Sequence, residues 1–92
     1  MASPEELLQN YRTQINQIDL KLVELLWKRF EIVEKVGALK KEHNIETRQN
    51  NRFEELLNIV IEAGKKEGLD AWFLKNIWHE MHEYSIERQK KI

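Results

Sequence analysis

The sequence predicts an all-α protein: three helices, one of them very long, forming an intertwined helical homodimer. Three observations carry this expectation. A seam runs Tyr11, Ile15, Ile18, Leu22, Leu25, Arg29, Ile32, Val36, Leu39, with spacings that alternate four and three, as one packed helical face requires. Only three glycines and one proline occur in 92 residues, so few points interrupt a helix, and no segment alternates with period two as a strand would. The third is a mismatch of lengths. A helix of about 40 residues spans roughly 60 Å. A compact chain of this size has a radius of gyration near 12 Å and is only about 30 Å across. Two short helices cannot cover so long a seam, so half of its face is expected to pack on another copy or another protein, a symmetric homodimer being the commonest solution.

The first helix opens at Ser3-Pro4-Glu5-Glu6, which offers an N-cap, a proline at the first helical position and a capping-box glutamate. It is expected to end near His43-Asn44. Gly37 lies inside it at a cost of about 1 kcal/mol relative to alanine, which a close helix contact would explain. The second helix begins near Gln49 to Asn51, with the stripe Phe53, Leu56, Leu57, Val60, Ala63, and ends in Gly64-Lys65-Lys66-Glu67-Gly68. The lysines suit a helix C-terminus and the glycines a left-handed cap. Asp70 is the expected cap of the third helix, with Leu69 stapled to Leu74 across it. Its stripe runs Leu74, Ile77, Trp78, Met81, Ser85, Arg88, Gln89, Ile92.

Composition narrows the function classes. Residues 1–92 read as one small domain. A formal net charge of −1 calls for no nucleic acid. The absence of cysteine removes disulfides and thiolate metal sites. No apolar run approaches the roughly 20 residues that cross a bilayer, and no signal peptide opens the chain, so a cytoplasmic protein is the default. His79 and His82 stand three apart and miss the four-residue spacing of a zinc-binding HExxH, so no metal is expected. Trp27, Trp72 and Trp78 read as packing residues. No nucleophilic triad, glycine-rich phosphate loop or pair of catalytic carboxylates is present.

The informative residues are polar ones on apolar faces. Arg29 sits in the seam as an always-charged fork, and a buried charge needs an anion. Lys40 follows it by 11 residues, almost three turns, so both point the same way roughly 16 Å apart. Arg12 lies about 25 Å before Arg29 and about 100° around the helix, out of reach within one chain. In an antiparallel dimer it would enter the partner's site. Arg52 and Gln49 stand at the start of the second helix, where anions are favoured. Ser85 and Gln89 lie on the third stripe. The set is cationic and neutral with no obvious carboxylate, which favours a small polyanionic ligand. Each residue also has a plain structural reading. Arg29 can pair with Glu24, Glu31 or a glutamate of another copy. Lys40 can snorkel, Ser85 can bond its own helix backbone, and Gln89 can be surface.

The stretches Tyr11-Arg12, Ile15-Asn16-Gln17-Ile18-Asp19, Leu25-Leu26-Trp27-Lys28-Arg29 and Val36-Gly37-Ala38-Leu39-Lys40, with the Arg48 to Arg52 turn and Ser85 to Gln89, resemble the all-helical class of chorismate mutases over nearly the whole chain. The resemblance implies an intertwined three-helix homodimer that rearranges chorismate to prephenate, for phenylalanine and tyrosine synthesis, with no cofactor or metal. It assigns Arg29 to one substrate carboxylate and Arg12 of the other subunit to the second. Lys40 and Gln89 would hold the ether oxygen, and Arg52 and Ser85 would line the pocket near the ring. The family commonly has acids where this chain has Gln49 and Phe53, and those acids help hold the ring hydroxyl. Gln49 can still hydrogen-bond it and Phe53 cannot. Isochorismate pyruvate lyases and amino-deoxychorismate mutases of the same scaffold also vary here, and they are the nearest alternatives. A non-catalytic helical dimer binding a partner or an aromatic effector is the alternative from another class. The turn is also similar to that of mutase domains fused to another enzyme of aromatic biosynthesis, which leaves open that the chain is a module of a larger protein.

Overall fold

The computed structural model describes residues 1–91, so Ile92 of the third stripe lies outside the described residues. Three helices follow in order: α1 Pro4–Glu42, α2 Asn50–Lys66 and α3 Ala71–Lys90. The chain packs as two units, Met1–Ile32 and Val33–Ile92. No helix of the described residues is long and apolar enough to cross a membrane.

Local chemistry sets each helix end. The Ser3 hydroxyl accepts the Glu6 N–H at 3.2 Å, satisfying one of the donors that a helix start leaves unpaired. At the far end Asn44 takes φ 54°, a left-handed conformation that asparagine tolerates. The Ile45 N–H then reaches the Lys40 carbonyl at 2.8 Å and the Asn44 N–H the Lys41 carbonyl at 3.5 Å, a Schellman closure. The end of α2 repeats it. Gly68 adopts φ 84°, the Leu69 N–H bonds the Gly64 carbonyl at 2.9 Å, and the Gly68 N–H bonds the Lys65 carbonyl at 3.1 Å. Gly64 is therefore the last buried residue inside α2, while Gly68 is the left-handed cap. Asp70 occupies the N-cap of α3, but its side chain makes no capping bond. Contrary to the expectation, its extended backbone and the bond from the Leu74 N–H to its carbonyl, at 3.2 Å, start the helix.

Within Met1–Ile32 the seam faces outward. Tyr11, Ile15, Ile18, Leu22 and Leu25 are each more than half exposed in the single chain, and only Phe30 is buried. The second unit holds the core. Helices α2 and α3 run antiparallel, with Phe53 against His79 and His82 at one end and Gly64 against Leu74 at the other. Phe53, Leu57 and Ile61 form the buried cluster, and Ala71 and Trp78 pack on it. The Phe53 ring stacks on His82 with centroids 4.0 Å apart and takes His79 edge-on at 4.9 Å. Ala63, expected in the α2 stripe, is exposed, and Ile61 is buried in its place. The stripe is rotated because the close approach of α3 is at Gly64.

That approach carries a prediction. A methyl group on Gly64 would overlap Leu74 Cδ1. Gly64→Ala is expected to destabilise the fold by about 1–3 kcal/mol through overpacking, against a helix-propensity gain of up to about 1 kcal/mol. Urea unfolding should show a lower midpoint with an unchanged slope.

Candidate active site

The last turns of α1 place Glu34, Gly37 and Lys40 at three-residue intervals, which puts them along one side of the helix. All three belong to the Val33–Ile92 unit, and each meets a different residue of it. The Glu34 carboxylate pairs with the Arg88 guanidinium of α3, which also donates to the Tyr84 hydroxyl at 3.0 Å. Those two hydrogen bonds, Tyr84 first and Glu34 second, hold the Arg88 pKa above its ordinary value. Gly37 is buried against the backbone of Gln89, as the glycine inside the helix suggested. The Lys40 ammonium donates to the Thr47 carbonyl at 2.8 Å, so the chain entering α2 covers part of the lysine. Burial pushes the Lys40 pKa down.

Gln89 is half-buried, and its side-chain oxygen is buried without a hydrogen-bond partner among the described residues. An amide oxygen removed from water and left unbonded costs free energy, so the Gln89 amide keeps hydrogen-bonding capacity to offer. Rotation of the amide presents its NH2 instead. Ser85 lies one turn earlier on α3, buried, and its hydroxyl donates to the Met81 carbonyl at 2.7 Å, the bond to its own helix backbone that the plain reading gives it. Its oxygen keeps acceptor capacity.

A recess opens at the start of α2, lined by Arg48, Gln49, Arg52, Glu46 and Glu55. Gln49 is the N-cap residue and makes no side-chain capping bond. Arg52 is exposed and stands 4.0 Å from Glu55, a separation at which an exposed pair contributes little. Arg48 is held more firmly, by two parallel bonds of 2.9 and 3.0 Å to Glu83 of α3. This hydrogen-bonded contact holds the Glu83 carboxyl below the usual carboxylate range and raises Arg48. The expectation of a set without carboxylates is thus corrected at the recess, where Glu46 and Glu55 stand with Gln49 and Arg52.

In the Met1–Ile32 unit, Arg12 is exposed and Arg29 half-buried. The Arg29 guanidinium lies 5.6 Å from the Phe30 ring centroid, and burial pulls its pKa down. Glu24, one carboxylate considered for Arg29, pairs with Lys28 at 3.3 Å. Among the expected site residues, Gln89 packs on Gly37, one turn before Lys40 on α1, and Ser85 lies on the same side of α3 as Gln89. Gln49 and Arg52 gather in the α2 recess. Thr47, Glu34, Arg88 and Tyr84 were missed. Arg88 stood on the third stripe without a role, and the three-residue spacing of Glu34, Gly37 and Lys40 was a hint for Glu34.

The last turns of α1 pack on the α2–α3 hairpin and set polar groups, Lys40, Ser85 and Gln89, on or beside the packed faces of an all-α domain. The chorismate mutase type II family model matches residues 11–90. The chain is 34% identical over 82 residues to a bifunctional chorismate mutase/prephenate dehydratase of Buchnera aphidicola subsp. Acyrthosiphon pisum, covering 89% of this chain and 21% of that protein. It is 33% identical over 92 residues to the protein of the same description from Buchnera aphidicola subsp. Schizaphis graminum, covering 100% of this chain and 24% of that one. The chain belongs to the chorismate mutase type II family. It spans between a fifth and a quarter of the length of these curated relatives.

Proposed function

We propose that this chain is a chorismate mutase, an isomerase that converts chorismate to prephenate in phenylalanine and tyrosine synthesis. The observation that carries the reading is the packing of Gln89 on Gly37, one turn before the half-buried Lys40 on α1. The rearrangement breaks the ether C–O bond while a new C–C bond forms, in one cycle of electrons. No protein atom needs to bond to the substrate. What the protein supplies is shape and charge. The Lys40 ammonium and the Gln89 NH2 hold the ether oxygen, where negative charge grows as the C–O bond opens. Because that charge is larger in the transition state than in the substrate, these contacts lower the barrier.

Arg29 takes one carboxylate and Arg12 of a second copy takes the other, fixing the side chain over the ring. Arg52, Gln49 and Ser85 line the ring end. The exposed seam of Tyr11, Ile15, Ile18, Leu22 and Leu25 supports a homodimer as the working form, since a water-exposed apolar strip of that length favours association. The relatives' two-enzyme names support a setting beside, or joined to, an enzyme that consumes prephenate.

Incubation with chorismate and, separately, with isochorismate tests the reading. Prephenate from chorismate, with saturation, is the expected result. Pyruvate and salicylate from isochorismate would select a lyase instead, and no turnover of either would leave a binding dimer.

A further inference from the structure

We propose that Gly37 and Glu34 are positioning residues that set the place of Gln89 against Lys40; the proposal rests on the mutase reading of that pair. A Cβ built on Gly37 would stand 2.9 Å from Gln89 Cα and 3.0 Å from both its Cβ and Cγ. Carbon atoms in ordinary contact are about 3.5–4.0 Å apart, so a methyl group here demands a displacement of about half an ångström to one ångström. The nearest obstacle is backbone, not the tip of a flexible side chain. The α3 backbone at Gln89 must therefore move, and the amide with it.

The neighbouring contact shows that this register is held from both sides. Glu34, three residues before Gly37, grips Arg88, the residue immediately before Gln89. Arg88 is in turn tied to Tyr84 one turn back along α3. The ion pair draws α3 toward α1, and the missing side chain at Gly37 sets how near it comes. Lys40 lies one turn further along the same side of α1. The lysine-to-amide spacing is thus fixed by the helix contact rather than by either long side chain. A glycine is otherwise unfavourable in the interior of a helix, so its place here needs such a cause.

The consequence is a split between kinetic parameters. Gln89 acts on charge that develops during the reaction, so displacing it should lower kcat and leave KM nearly unchanged. Gly37→Ala is expected to lose about 10- to 100-fold in kcat, the scale on which a displacement of about 1 Å acts. Loss of folded protein alone would lower the amount of active enzyme and leave no dependence on residue 89. The test is a double-mutant cycle on chorismate turnover, using Gly37→Ala, Gln89→Ala and both together, each checked for helix content and melting temperature. With Gln89 removed, the alanine at 37 should cost almost nothing further in kcat. A second cycle pairs Glu34→Gln with Gln89→Ala and serves where Gly37→Ala does not fold. It should show a smaller loss that likewise vanishes in the Gln89→Ala background.

Additive losses in the cycle overturn the proposal while the mutase reading stands. Full activity in Gln89→Ala overturns the proposal and Gln89's place in the site while the chain remains a mutase; no chorismate turnover by the unmodified chain removes the reading and the proposal together.

Discussion

Lys40→Ala is expected to lower kcat/KM for chorismate by about 10²–10³, or roughly 3–4 kcal/mol of transition-state stabilisation, with the fold intact. The side chain donates to the Thr47 carbonyl and stands near the end of α1. Its removal should therefore barely change the circular dichroism or the melting temperature. Retention of most of the activity would remove Lys40 from the reacting site.

The charge on Lys40 gives a second handle on the same residue. Burial holds its pKa below that of an ordinary lysine. The ammonium is the active form, so kcat/KM should fall as pH rises through that lowered value, earlier than an unperturbed lysine would allow. The stability of the fold should move in the opposite sense. Between the lowered pKa of the folded chain and the ordinary one of the unfolded chain, the unfolded state binds more protons, so stability gains with pH over that interval. An alkaline fall in activity without unfolding is the expected signature. Lys40→Arg should move the limb to higher pH, although the broad fork fits the lysine's place poorly and lowers the plateau.

The helices were legible because their signals are local. The alternating spacing of the seam and the Ser3-Pro4 start place α1 at Pro4–Glu42, and Gly68 closes α2 as its left-handed freedom suggests. Burial was read less well. Phe30, Ile61 and Ile86 are buried but were outside the expected stripes. A helix with neighbours on two sides buries a wide arc, and a single-stripe reading sees only part of it. The site divides in the same way. Lys40, Ser85 and Gln89 stood out because each interrupts or borders an apolar face. The ion pairs did not stand out. Arg48–Glu83 joins residues 35 apart and Arg88–Glu34 residues 54 apart, and such partners are chosen by helix register, which no local pattern encodes.

Mixing two inactive variants should restore activity. If Arg29 of one copy and Arg12 of another serve one site, Arg12→Ala and Arg29→Ala homodimers each have both sites damaged, with losses of at least about 10²-fold expected for a lost carboxylate clamp. In a mixed dimer, one site receives both alanines and the other receives both arginines. Random assortment makes half the dimers mixed, so about a quarter of all sites should regain normal turnover in a symmetric two-site dimer. The exposed seam and Arg12 lie on the same helix, and Arg12 itself is exposed in the single chain, consistent with a role outside its own fold. Unfolding and refolding an equal mixture, with heterodimers verified by differently tagged copies, measures the recovery. Verified heterodimers without regained activity would place Arg12 in its own chain's site, and activity persisting at dilutions where only single chains remain would remove the shared site altogether.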